Sequence, residues 1–170
     1  MLSGRQRGGP LVEFTPLTAG DLGLVEEWLR REHVARWWRD DIGESLAEYR
    51  AALEGREPTD HYLIVAGARP FGMIQTYLVS DYQEWEAIIQ VGEGVAGVDI
   101  LIGEEELIGR GLGPRILTEF AGDVITSPAV IATVEEENRR SWRAFEKAGF
   151  RHVRDVEEAG VPHRLMRLDR

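Results

Sequence analysis

Two features of this 170-residue chain are suited to chemistry. One is a trio of glycines at alternate positions, Gly109, Gly111 and Gly113 in IGRGLGPRIL, and the other is a lone carboxylate, Asp99, in the apolar run VDILIG. Glycine has no Cβ, so an anion can come close to its amide. Where such a stretch opens a helix, the unpaired N–H groups of the first turn and the helix dipole bind that anion. Pro114 suits the first turn, where its missing N–H is no loss. A nucleotide P-loop would need Lys and then Ser or Thr where Pro114 and Arg115 stand. A dinucleotide fingerprint begun at Gly111 and Gly113 would need glycine where Ile116 stands. Neither pattern fits, and the stretch reads as a cradle for a diphosphate of another kind. Burying Asp99 unpaired would be costly, so it must face a polar cavity or a cation. There it can attract an ammonium group and accept its proton.

Other residues extend this reading. Trp38 lies beside Asp40 and Asp41, and Trp85 lies between Glu84 and Glu86. Aromatic faces rimmed by carboxylates suit a polycationic sugar. Gln75 and Tyr77, two apart on one strand, share a face and point into one cavity. The acidic run TVEEENRR offers Glu135, Glu136 and Glu137 as further carboxylates at a strand end. The formal charge of −10 agrees with a cationic partner and argues against nucleic acid. The chain has no cysteine, which excludes disulfides and thiolate chemistry, and its four histidines lack metal-ligand spacing. No metal is expected.

These residues need elements to position them. A strand is expected over 11–18. A helix follows with Leu22, Val25, Trp28 and Leu29 on one face and Asp21 as its cap, and then a second helix around 43–55. Two strands meet at a tight turn near Gly67–Pro70, and 81–97 reads as a loop or irregular helical excursion. Strand Val98–Gly103 leads through the glycines into helix Pro114–Ile125. Strand Ala129–Val134, a helix from Asn138 to Gly149, and strands Phe150–Glu158 and His163–Asp169 complete the chain. Early hairpins and late strand–helix alternation predict an α+β fold with a mixed sheet. Residues 1–170 are expected to form one domain, with 1–9 a disordered leader. No apolar run is long enough for a bilayer, and MLSGRQRGGP lacks the apolar centre of a signal peptide, so a cytoplasmic protein is expected.

DILIGEEELIGRGLGPRIL and ENRRSWRAFEKAGF together resemble the acetyl-CoA-binding core of the GNAT superfamily of N-acetyltransferases. LVEEWLRREHVARWW, MIQTYLVSDYQEWE and VAGVDILIG extend the resemblance to the aminoglycoside 6′-N-acetyltransferases within it. The resemblance implies a mostly antiparallel central sheet, helices on both faces and a splayed central strand pair. It implies acetyl-CoA as co-substrate, with Gly109, Arg110, Gly111, Leu112, Gly113 and Pro114 at its pyrophosphate. Amides of Ile100, Leu101 or Ile102 would lie at the thioester, and Asn138, Arg143, Phe145 and Lys147 elsewhere along the carrier. Asp99 becomes the catalytic residue, binding the 6′-amine and relaying its proton during direct attack in a ternary complex. Trp38, Gln75, Tyr77, Trp85, Glu135 and Glu136 become the substrate-binding set.

Two positions depart from the family pattern. Ile108 replaces the leading Gln or Arg, and Phe145 stands where relatives place a tyrosine that protonates the leaving thiolate. A thiol pKa of about 8.5 makes that thiolate a tolerable leaving group, so solvent can protonate it. The expected partner is a small cationic amine, an aminoglycoside by resemblance, with neither nucleic acid nor membrane. Monomer and homodimer both remain open. The alternatives are an acyltransferase for a siderophore lysine or a protein N-terminus, and an acyl-CoA sensor.

Overall fold

Side-chain alternation along the strands sorts the molecule into two faces. In TDHYLIVA, Leu63 and Val65 pack with Met73 and Leu101 into one cluster, while Ile64 packs with Ile74, Val130 and Ala132 into another. That is the period of two expected of strands covered on both sides. The computed structural model describes residues 11–170. The leader expected over 1–9 lies outside the described residues.

The order of elements is β1 (Val12–Pro16), α1 (Leu22–Arg30), α2 (Glu32–Ala35), α3 (Ile42–Leu53), β2 (Thr59–Ala66), β3 (Arg69–Leu78), α4 (Gln83–Ile89), β4 (Val95–Ile102), α5 (Leu112–Asp123), β5 (Ala129–Glu135), α6 (Arg139–Lys147), β6 (Arg151–Glu158) and β7 (Val161–Asp169). The strands form one seven-stranded sheet in the order β1-β2-β3-β4-β5-β7-β6. All neighbouring pairs are antiparallel except β4–β5. This is the α+β architecture expected from the sequence, with helices on both faces.

Helix α1 buries Leu22, Val25, Trp28 and Leu29 beside Leu46 and Tyr49 of α3, all on the face of Leu63 and Met73. On the opposite face α5 contributes Ile116, Leu117 and Phe120, and α6 contributes Phe145. A third cluster places Ile89 of α4 against Val95, Ile131, Val156 and Leu165. By strand alternation, α4 therefore covers the far end of the face that α1 and α3 cover. Between α3 and α4 that face lies open.

Several boundaries differ from the sequence reading. The first long helix divides at Arg31, whose ψ of 136° is extended, giving α1 and α2. Asp21 does not cap α1 with its side chain. Its Oδ2 accepts from Thr18 N and Oγ1, both at 2.8 Å, and so closes the 3-10 turn that precedes the helix. The stretch 81–97 contains a true helix, α4, and β4 begins at Val95 rather than Val98. The central pair splays early. β4 and β5 pair at Val95↔Ala129, Ala96↔Val130 and Gly97↔Ile131, and no further.

Candidate active site

The opening between α3 and α4 is a cavity of about 580 Å³. Its floor is one face of five strands: His61 from β2, Gln75 and Tyr77 from β3, Asp99 from β4, Thr133 from β5 and Glu158 from β6. Its walls are Trp38 and Asp40 before α3, Glu48 and Tyr49 on α3, Glu57 after it, and Trp85 on α4. Five carboxylates line it (Asp40, Glu48, Glu57, Asp99 and Glu158), and no Lys or Arg does among the described residues. Such a wall concentrates field lines of one sign and draws in cations.

Asp99 is half-buried and sits directly opposite Gln75 in the β3–β4 register. Gln75 Nε2 donates to Asp99 Oδ2 at 2.9 Å. Burial pushes the Asp99 carboxyl up to about 6. The Gln75 hydrogen bond pulls it back, and the charges of Glu158 and Asp40 push it further up. A carboxylate tuned to that range is ionised at neutral pH yet basic enough to take a proton. Burial also raises the Tyr49 and Tyr77 phenols, so both stay neutral beside it. Burial lowers His61 to about 4, leaving a neutral imidazole. Four lining residues carry buried polar atoms with no hydrogen-bond partner: His61 Nδ1, Gln75 Oε1, Trp85 Nε1 and Glu158 Oε1. Orphan polar atoms gathered around one cavity need partners, from one another or from a polar guest.

Asp99 lies just past the last β4–β5 pair, where the sheet opens. Gly103 N donates to Phe71 O at 2.8 Å, which fixes the alternation along β4. The amides of Asp99 and Leu101 therefore face β3, and those of Ile100 and Ile102 face the splay. Of the three strand amides expected at a thioester, the Leu101 amide is thus excluded, because the β3 ladder takes it. Its side chain is likewise buried, in the cluster under α1.

The glycine stretch follows after a 3-10 turn, Glu105–Leu107. Gly109 and Gly111 adopt left-handed φ of 76° and 75°, and Gly111 forms the N-cap of α5 without any side-chain cap. A Cβ built at either would have nothing within 4 Å, and neither amide donates to a backbone carbonyl among the described residues. Leu112, Gly113 and Pro114 form the first turn. Gly113 has a different reason for being glycine. A Cβ there would come within 3.3 Å of Ala144 Cβ on α6, so it sets how closely α5 and α6 pack. Arg110 is exposed and in no ion pair among the described residues.

The other residues singled out from the sequence fall in varied places. Trp38, Gln75, Tyr77, Trp85 and Asp99 meet at the cavity. Glu135 and Glu136 do not. Glu135 Oε1 is held by Arg39 Nη2 at 2.7 Å, and exposed Glu136 contributes backbone contacts to Pro162 and Trp142. The carboxylate expected of that run is supplied instead by residues from α3 and β6, Glu48 and Glu158. Asn138 caps α6, its Oδ1 accepting from Ser141 N at 3.4 Å. Arg143 and Lys147 lie on α6, with Arg143 over the Trp142 ring at 5.6 Å. Phe145 is a core residue, 3% exposed and edge-to-face with Phe150 at 5.1 Å, which corrects its placement along a carrier. Glu48, Tyr49, Glu57, His61, Thr133 and Glu158 escaped the sequence reading. Of these, only His61 carried a usable signal, a titratable residue facing inward on an apolar strand.

Among the described residues no helix is long and apolar enough to cross a membrane, and no group of three His, Asp or Glu could hold a metal.

Residues 18–158 match the family model of the acetyltransferase (GNAT) domain. The chain is 27% identical over 144 residues to aminoglycoside N(6′)-acetyltransferase type 1 of Klebsiella pneumoniae, covering 79% of this chain and 71% of that one. It superposes with a TM-score of 0.82 on aminoglycoside acetyltransferase AAC(6′)-Ib in complex with coenzyme A and kanamycin. That structure is 26% identical, with 94% of this chain and 95% of that one covered. An aminoglycoside N(6′)-acetyltransferase from Legionella pneumophila, 20% identical, shares the fold with a TM-score of 0.79 over 96% of this chain and 94% of that one.

Proposed function

The chain belongs to the GNAT acetyltransferase family, and from that premise we propose that it transfers the acetyl group of acetyl-CoA to the 6′-amine of an aminoglycoside by direct attack in a ternary complex. The observation that carries this reading is the position of Asp99. It stands on the floor of a cavity with five carboxylates, just beyond Gly97, the last β4 residue paired to β5.

On this reading the two substrates approach from opposite faces of the sheet. The carrier's diphosphate lies on the open amides of Gly109, Gly111 and the first turn of α5, with Arg110 beside it. Its pantetheine arm enters the splay, where the amide of Ile100 or Ile102 polarises the thioester carbonyl. The polycation enters between α3 and α4, with its ammonium groups matched to Asp40, Glu48, Glu57 and Glu158 and its rings to Trp38 and Trp85. Asp99 takes a proton from the reacting ammonium and leaves a neutral amine. The amine nitrogen attacks the carbonyl carbon, the tetrahedral intermediate loses its second N–H proton to solvent, and its collapse to the amide breaks the C–S bond. The thiolate takes its proton from solvent, because Phe145 has none to give and is buried among core side chains.

The two relatives with more than a quarter of their residues in common support the substrate class, since one is named for the 6′-amine and the other carries kanamycin and coenzyme A. Thiol release from acetyl-CoA, followed in parallel with kanamycin, free lysine and an N-terminal peptide, tests it. Turnover with kanamycin is expected. Turnover only with peptide or lysine overturns the substrate, and none with any amine leaves a carrier-binding sensor.

A further inference from the structure

Three polar residues form a row across three adjacent strands. His61 on β2 is directly opposite Gln75 on β3, and Gln75 is directly opposite Asp99 on β4. All three line the same cavity. The middle member is an amide with two different ends. Its Nε2 donates to Asp99 at 2.9 Å, so its Oε1 is the atom left for the other neighbour. That Oε1 is buried with no partner, and so is His61 Nδ1. The imidazole is 8% exposed and clamped edge-to-face against Tyr49 at 4.8 Å, and Tyr49 is itself 4% exposed. The contact with Tyr49 holds the ring in place on the cavity floor.

We propose that His61 is a positioning residue: as the Nδ1–H tautomer it donates to Gln75 Oε1, and so locks the amide in the one orientation that presents a donor to Asp99. This rests on Asp99 being the proton acceptor of the transfer reaction. A Gln amide flipped end for end would put Oε1 against a carboxylate oxygen, two acceptors with no proton between them. Asp99 could relieve that contact only by taking up a proton or by losing its neighbour. A neutral imidazole suits the task, since it offers one N–H and adds no charge to a site made for cations. Burial keeps it neutral at the pH of interest.

The charged groups that set the proton affinity of Asp99 keep their charges when position 61 is substituted, and Tyr49, which loses its edge-to-face partner, is a neutral phenol. Tyr77 faces it from β3, Tyr49 and Glu48 from α3, Asp40 from the preceding loop and Glu158 from β6. His163 stands 3.8 Å behind Glu158. A shift on changing His61 alone therefore reports the row.

The experiment titrates the Asp99 carboxyl by 13C NMR in the free enzyme and measures kcat/KM for kanamycin against pH, in the wild type, His61→Leu and His61→Asn. Leucine keeps apolar volume and removes the donor. Asparagine puts an amide N–H where Nδ1 stood. The wild-type midpoint is expected near 6. In His61→Leu it should rise by about one pH unit and the acidic limb of kcat/KM should follow, while KM for acetyl-CoA stays put. His61→Asn should return both to the wild-type position. An unmoved midpoint in His61→Leu, or no recovery in His61→Asn, overturns the inference. Should His61→Leu not fold, His61→Met, which likewise lacks a donor, replaces it and must show the same upward shift. Failure of the underlying reading looks different: Asp99→Asn would remain fully active whatever His61 does.

Discussion

Arg39 reaches from the loop ahead of α3 to Glu135 at the end of β5, Nη2 lying 2.7 Å from Oε1. The pair ties the segment bearing Trp38 and Asp40 to the sheet, and so fixes one wall of the cavity. Arg39 is 57% exposed at its side chain, and such pairs contribute about 0–1 kcal/mol to stability. Arg39→Ala should therefore leave the melting temperature nearly unchanged while raising KM for kanamycin about two- to fivefold with kcat preserved. Steady-state kinetics beside a thermal melt decide it. A fall in kcat at constant KM would mean the pair does not shape the amine site.

Asp99→Asn should lower kcat by about two to four orders of magnitude, the usual worth of a positioned general base. The same change has a separate signature in stability. An acid whose carboxyl is raised from 3.8 to about 6 on folding makes the folded state take up protons. Its ionised form then counts against the fold: the penalty is absent below the lower value and complete above the higher one. Asparagine carries no charge, so the variant should match the wild type at acid pH and exceed it at pH above 7. Urea melts at both ends of that range test the sign. An equal stability gap at each pH would show that Asp99 is not raised.

Glu158 bears on the pH profile of the reaction. Its charge pushes the Asp99 carboxyl up, so Glu158→Gln should move the acidic limb of kcat/KM to lower pH, by a few tenths of a unit. The plateau should also fall, because one of the five carboxylates that line the cavity is lost. A limb that moves upward or stays fixed means that another group governs it.

The sheet was legible in the sequence because its strands alternate, and because the glycine stretch marks the passage from β4 to α5. The cavity was legible only in part. Trp38, Gln75, Tyr77, Trp85 and Asp99 stand out as polar or aromatic residues at the right spacing. Tyr49 and His61 look like core residues in their own elements, and only the gap between α3 and α4 gives them a polar side to face. Glu158 could not be found from local pattern, since it reaches the floor through the insertion of β7 between β5 and β6. Glu135 misled for the opposite reason. Its partner Arg39 is 96 residues away, so an acidic run looked free when one member was already paired. The helix α4 stayed open between a loop and an irregular helical excursion because QEWEAII is short and ends against a glycine-rich segment, which weakens every periodic signal.

Gly111→Ala tests the carrier cradle. The backbone there has φ of 75°, and a methyl group would meet nothing within 4 Å. The cost is therefore conformational, about 1–2 kcal/mol for an L-residue held in the left-handed region. Relief of that strain would re-aim the amides at the start of α5. KM for acetyl-CoA should rise severalfold, and KM for kanamycin should not change. Calorimetric titration with coenzyme A gives the same quantity without turnover, and unaltered affinity there would place the diphosphate elsewhere.

Gly97→Ala tests the splay and the amine cavity together. Gly97 is the last β4 residue paired to β5, and it lies opposite Tyr77 on β3. A Cβ at this position would fall 2.6 Å from Tyr77 Cε2 and 2.7 Å from its hydroxyl, well inside contact distance. β4 is held on both sides here, so the strand cannot retreat and the phenol ring must move. Tyr77 lines the cavity beside Asp99, and the way open to the ring is into the space the amine needs. Gly97→Ala should accordingly raise KM for kanamycin by tenfold or more while coenzyme A binding persists, since the α5 cradle is on the other face. Shortening the obstructing side chain should undo this. In Gly97→Ala with Tyr77→Leu, the aromatic ring is gone and the methyl group has room, so KM should recover most of the loss relative to Tyr77→Leu alone. If the two changes simply add, the ring was not displaced into the cavity, and glycine at 97 serves the strand pairing instead.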